Sequence, residues 1–488
     1  MFDESGVARD PAGVKRYRDL PGSVVELLRA TVDRYPAREA VVELDGPRVT
    51  YGELWDRSAR VAGGLRSAGV RPGDRVTIRY GNGLDWVLAF FGTLMAGAVA
   101  VPVNTRLVES EVAHVVADSQ ASLVLGPLPD GAPYCVSGLD RGDPAAIFYT
   151  SGTTGLPKGA VVTHENFLTN AENGLRVSEL PRDDPELRNL VSVPLFHVAA
   201  CNSQLIPMVQ IGATTVVMPA FEVHRFLRAV PEERIRVVST APAIYWHALH
   251  HPRLADVDLS GVECATYGGA PMAPSLVRLI KQGFPKARVG NGFGLTETAS
   301  LATFLPDAWA VSHADSVGWP APTVDVSLSA TGELLVRGGN VVPGYWRDPT
   351  ATAAAFQDGW LRTGDVARID DEGRVYVVDR IKDMINRGGE NVYSVEVENV
   401  LAGAPGVFDG GVEAVPDPMM GEKVGAVVVP FPGALVDSGT VLAYARERLA
   451  DFKVPQYLRV QPEPLPRNAG GKVRKALLRE RGGWEAVR

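Results

Sequence analysis

The chain lacks what would staple it covalently or fasten it to a polyanion. Its only three cysteines, Cys135, Cys201 and Cys264, are far apart and odd in number, which excludes a disulfide framework and a cysteine-built metal site and fits a reducing compartment. No basic cluster appears, and the formal net charge is -8 over 488 residues, so there is no electrostatic case for a nucleic-acid partner. Repeats and low-complexity tracts are absent as well. The first residues, MFDESGVARDPAG, are acidic and without an apolar core, so they do not read as a secretory signal, and a cytoplasmic location is expected. One uncharged run, Trp86 to Val103, approaches the length that spans a bilayer. Gly97 and Pro102 divide it, which predicts a buried helix ending near Ala96, stopped by Gly97, and a buried strand over Ala98 to Val103 instead of a transmembrane segment.

What is present is the texture of a multidomain enzyme. An apolar content of 45% and a charged content of 22% are ordinary for a soluble globular protein, and the length exceeds a single hydrophobic core. Thr50 and Glu53 have capping-box spacing and open a helix running to Gly69. Strand DRVTIRY, helix, strand AVAVPV, helix near Glu109 to Asp118 and strand SLVLG follow, the alternation of an α/β sheet with parallel pairs. A second α/β stretch runs from about Asn166 to Phe304. Short strands and turns between Val317 and Asp379 predict a small β-rich subdomain, and from Lys382 the chain reads as a compact α+β unit with a basic tail, Lys472 to Arg481.

Several segments could carry chemistry. Tyr149 to Ala160 reads YTSGTTGLPKGA: glycines that turn N–H groups inward, hydroxyls of Thr150, Ser151, Thr153 and Thr154, and the cation of Lys158 make a phosphate-holding loop, or a flexible surface loop. It is not a Walker A sequence. The β-rich flanks AAIFYT and GAVVT predict that it joins two strands and does not open a helix. Asn291 to Thr298, NGFGLTET, has Leu295 where a dinucleotide fingerprint needs Gly. It offers Phe293 to stack on a purine, hydroxyls for phosphate and Glu297 for a Mg²⁺ that keeps its waters, or a turn with a capped helix start. Asp365 in WLRTGD could accept from a ribose diol or sit in a surface turn. Lys472 in PRNAGGK is a solvated lysine or a cation delivered to a reacting phosphate. His197 and Cys201 share four-residue spacing, but no third ligand or base accompanies them.

Taken in order, YTSGTTGLPKGA, PLFH (Pro194 to His197), GGAPM (Gly268 to Met272), NGFGLTET, GYW, WLRTGD, DRIKDMINRGGENVY and PRNAGGK resemble the adenylate-forming superfamily of acyl-CoA synthetases, carrier-protein-linked adenylation domains and firefly-type luciferases. FHVAA, GGAPM and RGGENVY are most similar to bacterial fatty acyl-CoA ligases. The resemblance implies an α/β multidomain fold: a large N-terminal domain, 1–381, of two α/β subdomains and a small β-barrel-like one, and a small mobile α+β C-terminal domain, 382–488, hinged at Lys382. It implies ATP, Mg²⁺ and coenzyme A, or a carrier protein's phosphopantetheine, as cofactors. It further implies that Thr150, Ser151, Gly152, Thr153, Thr154, Gly155 and Lys158 grip the β- and γ-phosphates, that Glu297 holds Mg²⁺ and that Thr296 meets the α-phosphate. Gly268, Gly269 and Ala270 would sandwich adenine with Asn291, Gly292, Phe293 and Gly294, Asp365 with Arg380 would hold ribose, and Lys472 would stabilise the adenylation transition state.

The resemblance also marks departures and a substrate class. Phe293 stands where Tyr is common, Ser394 follows Tyr393 where Pro is usual, and the stretch between SLVLG and the phosphate loop is short. The segment VAACNSQ after PLFH carries no carboxylate for an α-amino group and no Arg or Lys for a dicarboxylate. Apolar walls at Val198 to Ala200 and Ala241 to Tyr245, broken by His197, Asn202 and Ser203, suit a monocarboxylic acid with an aliphatic or aromatic body. The expected partners are that acid and coenzyme A, with an acyl carrier protein as the alternative acceptor and a non-catalytic nucleotide-binding relative as the alternative class.

Overall fold

The computed structural model describes residues 2–150, 157–270, 272–431, 433–467, 473–480 and 484. Two compact units emerge, one of Met1–Ser327 with Leu335–Arg362, the other of Leu328–Leu334 with Thr363–Arg488. In the first, Thr50 caps the helix Tyr51–Ser67 in a full capping box with Glu53, as predicted. The uncharged run divides as expected into the helix Leu84–Met95 and the strand Val99–Pro102, with Gly97 at φ +76° between them. Trp86, Phe90 and Phe91 on that helix are fully buried in protein, and among the described residues no helix is long and apolar enough to cross a membrane.

One sheet runs in the order Leu123–Val124, Arg75–Ile78, Val99–Pro102, Pro144–Thr150, Lys158–Thr163. Its last two strands are antiparallel, with Thr150 opposite Lys158, so the hydroxyl-rich loop does join two strands. A nine-stranded sheet runs Trp319–Pro320, Thr303–Leu305, Arg288–Phe293, Cys264–Gly268, Val237–Thr240, Arg188–Val191, Thr214–Val217, Glu39–Glu43, Arg48–Thr50. Glu39–Glu43 and Arg48–Thr50 precede every strand of the first sheet yet edge the second. Side-chain alternation explains the placement: Val41 enters the hydrophobic cluster shared with the first sheet, while Val42, on the opposite face, enters the cluster behind the second. A strand with both faces apolar is satisfied only between two cores.

The helix His164–Val177 carries buried amides at Asn166, Asn170 and Asn173, one face at helical spacing. Asn166 Nδ2 donates to the carbonyls of Gly339 and Val341 at 2.9 and 3.1 Å, and Asn173 accepts from the Tyr17 hydroxyl at 2.8 Å while donating to Thr323 Oγ1 at 2.8 Å. Each amide replaces a backbone pairing that irregular chain would otherwise leave unmet.

The second unit begins at Thr363 with Leu328–Leu334 added, and beyond Lys382 it holds helices packed on one sheet. Its sheet has the order Glu390–Val392, Ile385–Arg387, Gly421–Pro430, Val407–Asp417, with Tyr457–Val460 also paired to Gly421–Pro430. The helices Ser394–Leu401 and Ser438–Arg446 supply Val397, Leu401 and Val441 to a core shared with Val412 and Val428.

His164 gives the fold a pH signature. It is 2% exposed, its Nδ1 accepts the Val24 N–H at 3.3 Å, and burial pushes its pKa down from 6.5 to about 4. The unfolded chain therefore binds the proton first as pH falls, so stability is complete above about pH 6.5 and is lost progressively toward pH 4. A displacement of that size corresponds to about 3 kcal/mol. Urea titrations between pH 7 and 4 are expected to show this decline in the native chain and a shallower one in His164→Gln.

Candidate active site

The parallel strands Cys264–Gly268 and Arg288–Phe293 lie side by side with Gly268 opposite Gly292, and they bring GGA and NGFG to one sheet edge at their carboxyl ends. That is where open α/β sheets hold ligands. Close packing demands the glycines. A Cβ on Gly268 would stand 2.3 Å from Gly292 O, and one on Gly294 1.5 Å from Ser300 O. Gly269 differs: at φ +77° it has nothing within 4 Å of where a Cβ would point, so the flank beside Phe293, itself half-buried, is open. Asn291 Nδ2 is committed to the carbonyl of Ser316 at 3.1 Å, which makes it a support for this edge. Beyond the single turn Thr296–Thr298, Ala299 and Ser300 take φ +51° and +116°, a strained pair of the kind that over-determined functional sites retain.

The strand Lys158–Thr163, which follows the hydroxyl-rich loop, meets this edge through Tyr345 of GYW. Trp346 N donates to Gly159 O at 2.7 Å and Val161 N to Gly344 O at 3.0 Å, which zips GYW onto the strand leaving the loop, with Ala160 bridged to Tyr345. The Tyr345 hydroxyl donates to Glu297 Oε1 at 2.7 Å, and the Lys158 ammonium stands 5.5 Å from the centre of the Tyr345 ring. Burial, with Glu297 beside it, pushes the phenol's pKa up, so it remains a donor. The second Glu297 oxygen has no protein partner among the described residues. A half-buried carboxylate held at one oxygen and open at the other, with a lysine across one ring, is a donor set that would suit a hydrated divalent cation held through Glu297. Thr150 ends the incoming strand, while Ser151, Gly152, Thr153, Thr154 and Gly155 lie outside the described residues.

PLFH leads into a helix of unusual form. His197 is the N-cap of Val198–Ala200, Cys201–Leu205 is a π-helical turn, and Ile206–Ile211 continues as α-helix. Such widened turns recur at functional sites. Asn170 Nδ2 donates to Asn202 O at 2.9 Å, Asn202 Nδ2 to Ala299 O at 2.8 Å, and Ser203 Oγ to Ser300 Oγ at 2.8 Å. The polar groups of Asn202 and Ser203 thus tie the segment after PLFH to the strained pair after NGFGLTET. Tyr245 is a correction. It is fully buried, its hydroxyl is near the carbonyls of Val238 and Thr266 at 3.1 Å each, and its ring meets Phe284 edge-on at 5.8 Å. It anchors its helix to the sheet and does not line a substrate wall. Cys201 and Cys264 are also buried, and burial raises both thiols, Cys264 to about 11, so neither is a thiolate nucleophile.

In the second unit, Arg380 Nε pairs with Asp365 Oδ1 at 2.8 Å across antiparallel strands in which the two residues are register partners. Asp365 is 2% exposed. Lys382 follows in the next turn with its ammonium 3.7 Å from Asp383; Lys472 lies outside the described residues. Sequence reasoning gave Tyr345 and Asn170 no role. Tyr345 was visible only as the middle of a short motif, and a helical stripe of Asn looks like a solvated face until its partners are known. Gly294→Ala is expected to lower the unfolding free energy by more than about 3 kcal/mol, because its Cβ meets backbone 1.5 Å away; denaturant midpoints check this.

Known proteins share this architecture. The AMP-binding enzyme family matches residues 28–135 and 127–346, and the AMP-binding enzyme C-terminal domain matches 396–472. Feruloyl-CoA synthase of Amycolatopsis sp is 39% identical over 92% of this chain and 97% of its own length. Long-chain-fatty-acid–CoA ligase FadD13 of Mycobacterium tuberculosis is 33% identical over 93% and 96%. The structure of o-succinylbenzoate CoA synthetase (MenE) from Bacillus subtilis with its acyl-adenylate intermediate OSB-AMP superposes with a TM-score of 0.85 at 29% identity, covering 94% of this chain and 98% of that one. The chain belongs to the AMP-binding enzyme family and is an AMP-forming acid–thiol ligase of the acyl-CoA synthetase kind.

Proposed function

We propose that the chain activates a hydrophobic monocarboxylic acid with an aromatic body and transfers it to coenzyme A. One carboxylate oxygen attacks the α-phosphorus of ATP, the bond to the β-phosphate oxygen breaks, and pyrophosphate leaves, giving acyl-AMP. The thiol of coenzyme A then attacks the acyl carbon, loses its proton to solvent and expels AMP. The observation that carries this reading is the convergence of Lys158, Tyr345 and Glu297 at the foot of the phosphate loop. Lys158 and the loop hold the departing phosphates, and Glu297 offers its open oxygen to Mg²⁺, which when bound neutralises charge on the leaving group.

Adenine lies against Phe293 and the open flank at Gly269, Thr296 meets the α-phosphate, and the Asp365–Arg380 pair takes the ribose diol. Lys472 supplies the cation for the pentacoordinate phosphorus, and rotation about Lys382, the division between 1–381 and 382–488, exchanges it for a path to the thiol. His197 and Val198 begin the acid wall, while Asn202 and Ser203 shape it from behind through their internal bonds. An aromatic acid is favoured by the 39% identity to a feruloyl-CoA synthase, and a monocarboxylic one by the absence of charged side chains in VAACNSQ.

Hydroxamate trapping without any thiol is expected to rank aryl and arylpropenoic acids above fatty acids, with α-amino and dicarboxylic acids inactive. A rank led by α-amino acids contradicts the proposal, and thioester formed only on a carrier protein contradicts coenzyme A as acceptor. Lys472→Ala is expected to lower acid-dependent pyrophosphate release by about 10²- to 10³-fold with ATP binding retained.

A further inference from the structure

Ser394 departs from the proline usual at its position, and the structure shows what it does instead. Tyr393 is the N-cap of the helix Ser394–Leu401, so Ser394 is the first helical residue, the place where proline is most at home because no N–H is needed there. Here the N–H is used. Ser394 N and Oγ both donate to the carboxylate of Asp379, the hydroxyl at 2.9 and 2.8 Å. Ser394 is fully buried and Asp379 is 1% exposed. Asp379 also accepts the Arg380 N–H at 2.7 Å. On its other side Ser394 Oγ accepts from Lys475 Nζ at 2.6 Å, and Lys475 pairs with Glu398 at 2.8 Å, which in turn accepts the Val412 N–H at 2.8 Å.

A hydroxyl has one proton and two lone pairs, and Ser394 uses the proton on Asp379 and a lone pair on Lys475. Proline would take from the buried Asp379 the N–H and the hydroxyl of residue 394, and would leave Lys475 with Glu398 but without the hydroxyl acceptor, a penalty of the kind attached to buried charges that lose partners. Asp379 is the residue next to Arg380, and their shared strand sets Arg380 opposite Asp365.

We infer that Ser394 is a positioning residue for the nucleotide: by clamping Asp379 from the helix Ser394–Leu401, it fixes the strand end that presents Arg380 to Asp365 and so the site for the ribose diol. This rests on the assignment of Asp365 and Arg380 to ribose made above. The side chains in the clamp belong to the body of the second unit, so its loss loosens the ribose site without touching the acid wall.

The test uses the full chain and compares ATP with 3′-deoxyATP in acid-dependent pyrophosphate release. Ser394→Pro keeps a residue suited to the first helical turn while removing both donors. It is expected to raise KM for ATP about tenfold and to cut the kcat/KM preference for ATP over 3′-deoxyATP by a similar factor, with KM for the acid within about twofold. Ser394→Thr, which keeps the N–H and the hydroxyl, is expected to retain native values. A Ser394→Pro enzyme with native ATP KM and native preference overturns the inference, and so does an equal rise in KM for both substrates with a lowered Tm, which marks general loosening. A native enzyme indifferent between the two nucleotides overturns the ribose assignment itself.

Discussion

The backbone pairing of Gly344–Trp346 with Gly159–Val161 is the contact on which the arrangement of Lys158, Tyr345 and Glu297 depends. It costs two hydrogen bonds' worth of geometry, 2.7 and 3.0 Å, and fixes three groups at once: the start of the strand carrying Lys158, the Tyr345 ring above which that lysine sits, and the phenol that orients Glu297. A glycine-rich loop has many conformations open to it. Anchoring its foot restricts the exit of the loop, and the carboxylate that Tyr345 steers lies next to the same foot. Preorganised charges of this sort act without reorganising as the reaction proceeds, and that is the physical advantage of building them on paired strands instead of on the loop itself.

A second layer of constraint is polar and buried. Asn170 accepts the Leu301 N–H at 2.8 Å and donates to the carbonyl of Asn202, while Asn340 Nδ2 reaches the carbonyls of Thr298 and Leu301 at 3.0 and 2.6 Å. These amides substitute for sheet hydrogen bonds around a stretch whose backbone is in no regular element and includes two residues at positive φ. Unmet, each buried group costs about 1–3 kcal/mol. Met, they hold a widened helical turn and a strained turn in one arrangement. The segment after PLFH and the turn that follows NGFGLTET are therefore parts of one hydrogen-bonded body.

Local signals in the sequence carried far. The capping box at Thr50 and Glu53, the stop at Gly97 and the strand flanks of the phosphate loop are each decided by a few neighbouring residues, and each is found where those residues place it. What was not legible depends on which surface a residue meets. Ala241 to Tyr245 reads as an apolar wall, yet helical geometry turns Tyr245 inward to the sheet. For Glu39–Glu43, only the two hydrophobic clusters on its opposite faces assign the strand to its sheet, between Thr214–Val217 and Arg48–Thr50. Asn166, Asn170 and Asn173 follow helical spacing, and nothing in the spacing says whether water or protein fills their hydrogen bonds. Ser394 shows the converse: a departure visible in the sequence whose meaning needed the positions of Asp379 and Lys475.

Attack of a carboxylate oxygen on the α-phosphorus of ATP leaves that oxygen in AMP, where it can be followed. With a substrate acid labelled in both carboxylate oxygens by ¹⁸O, and ATP and coenzyme A unlabelled, mass spectrometry of the products of complete turnover is expected to find one ¹⁸O in each AMP and none in pyrophosphate. Label in inorganic phosphate, accompanied by ADP, would contradict the account.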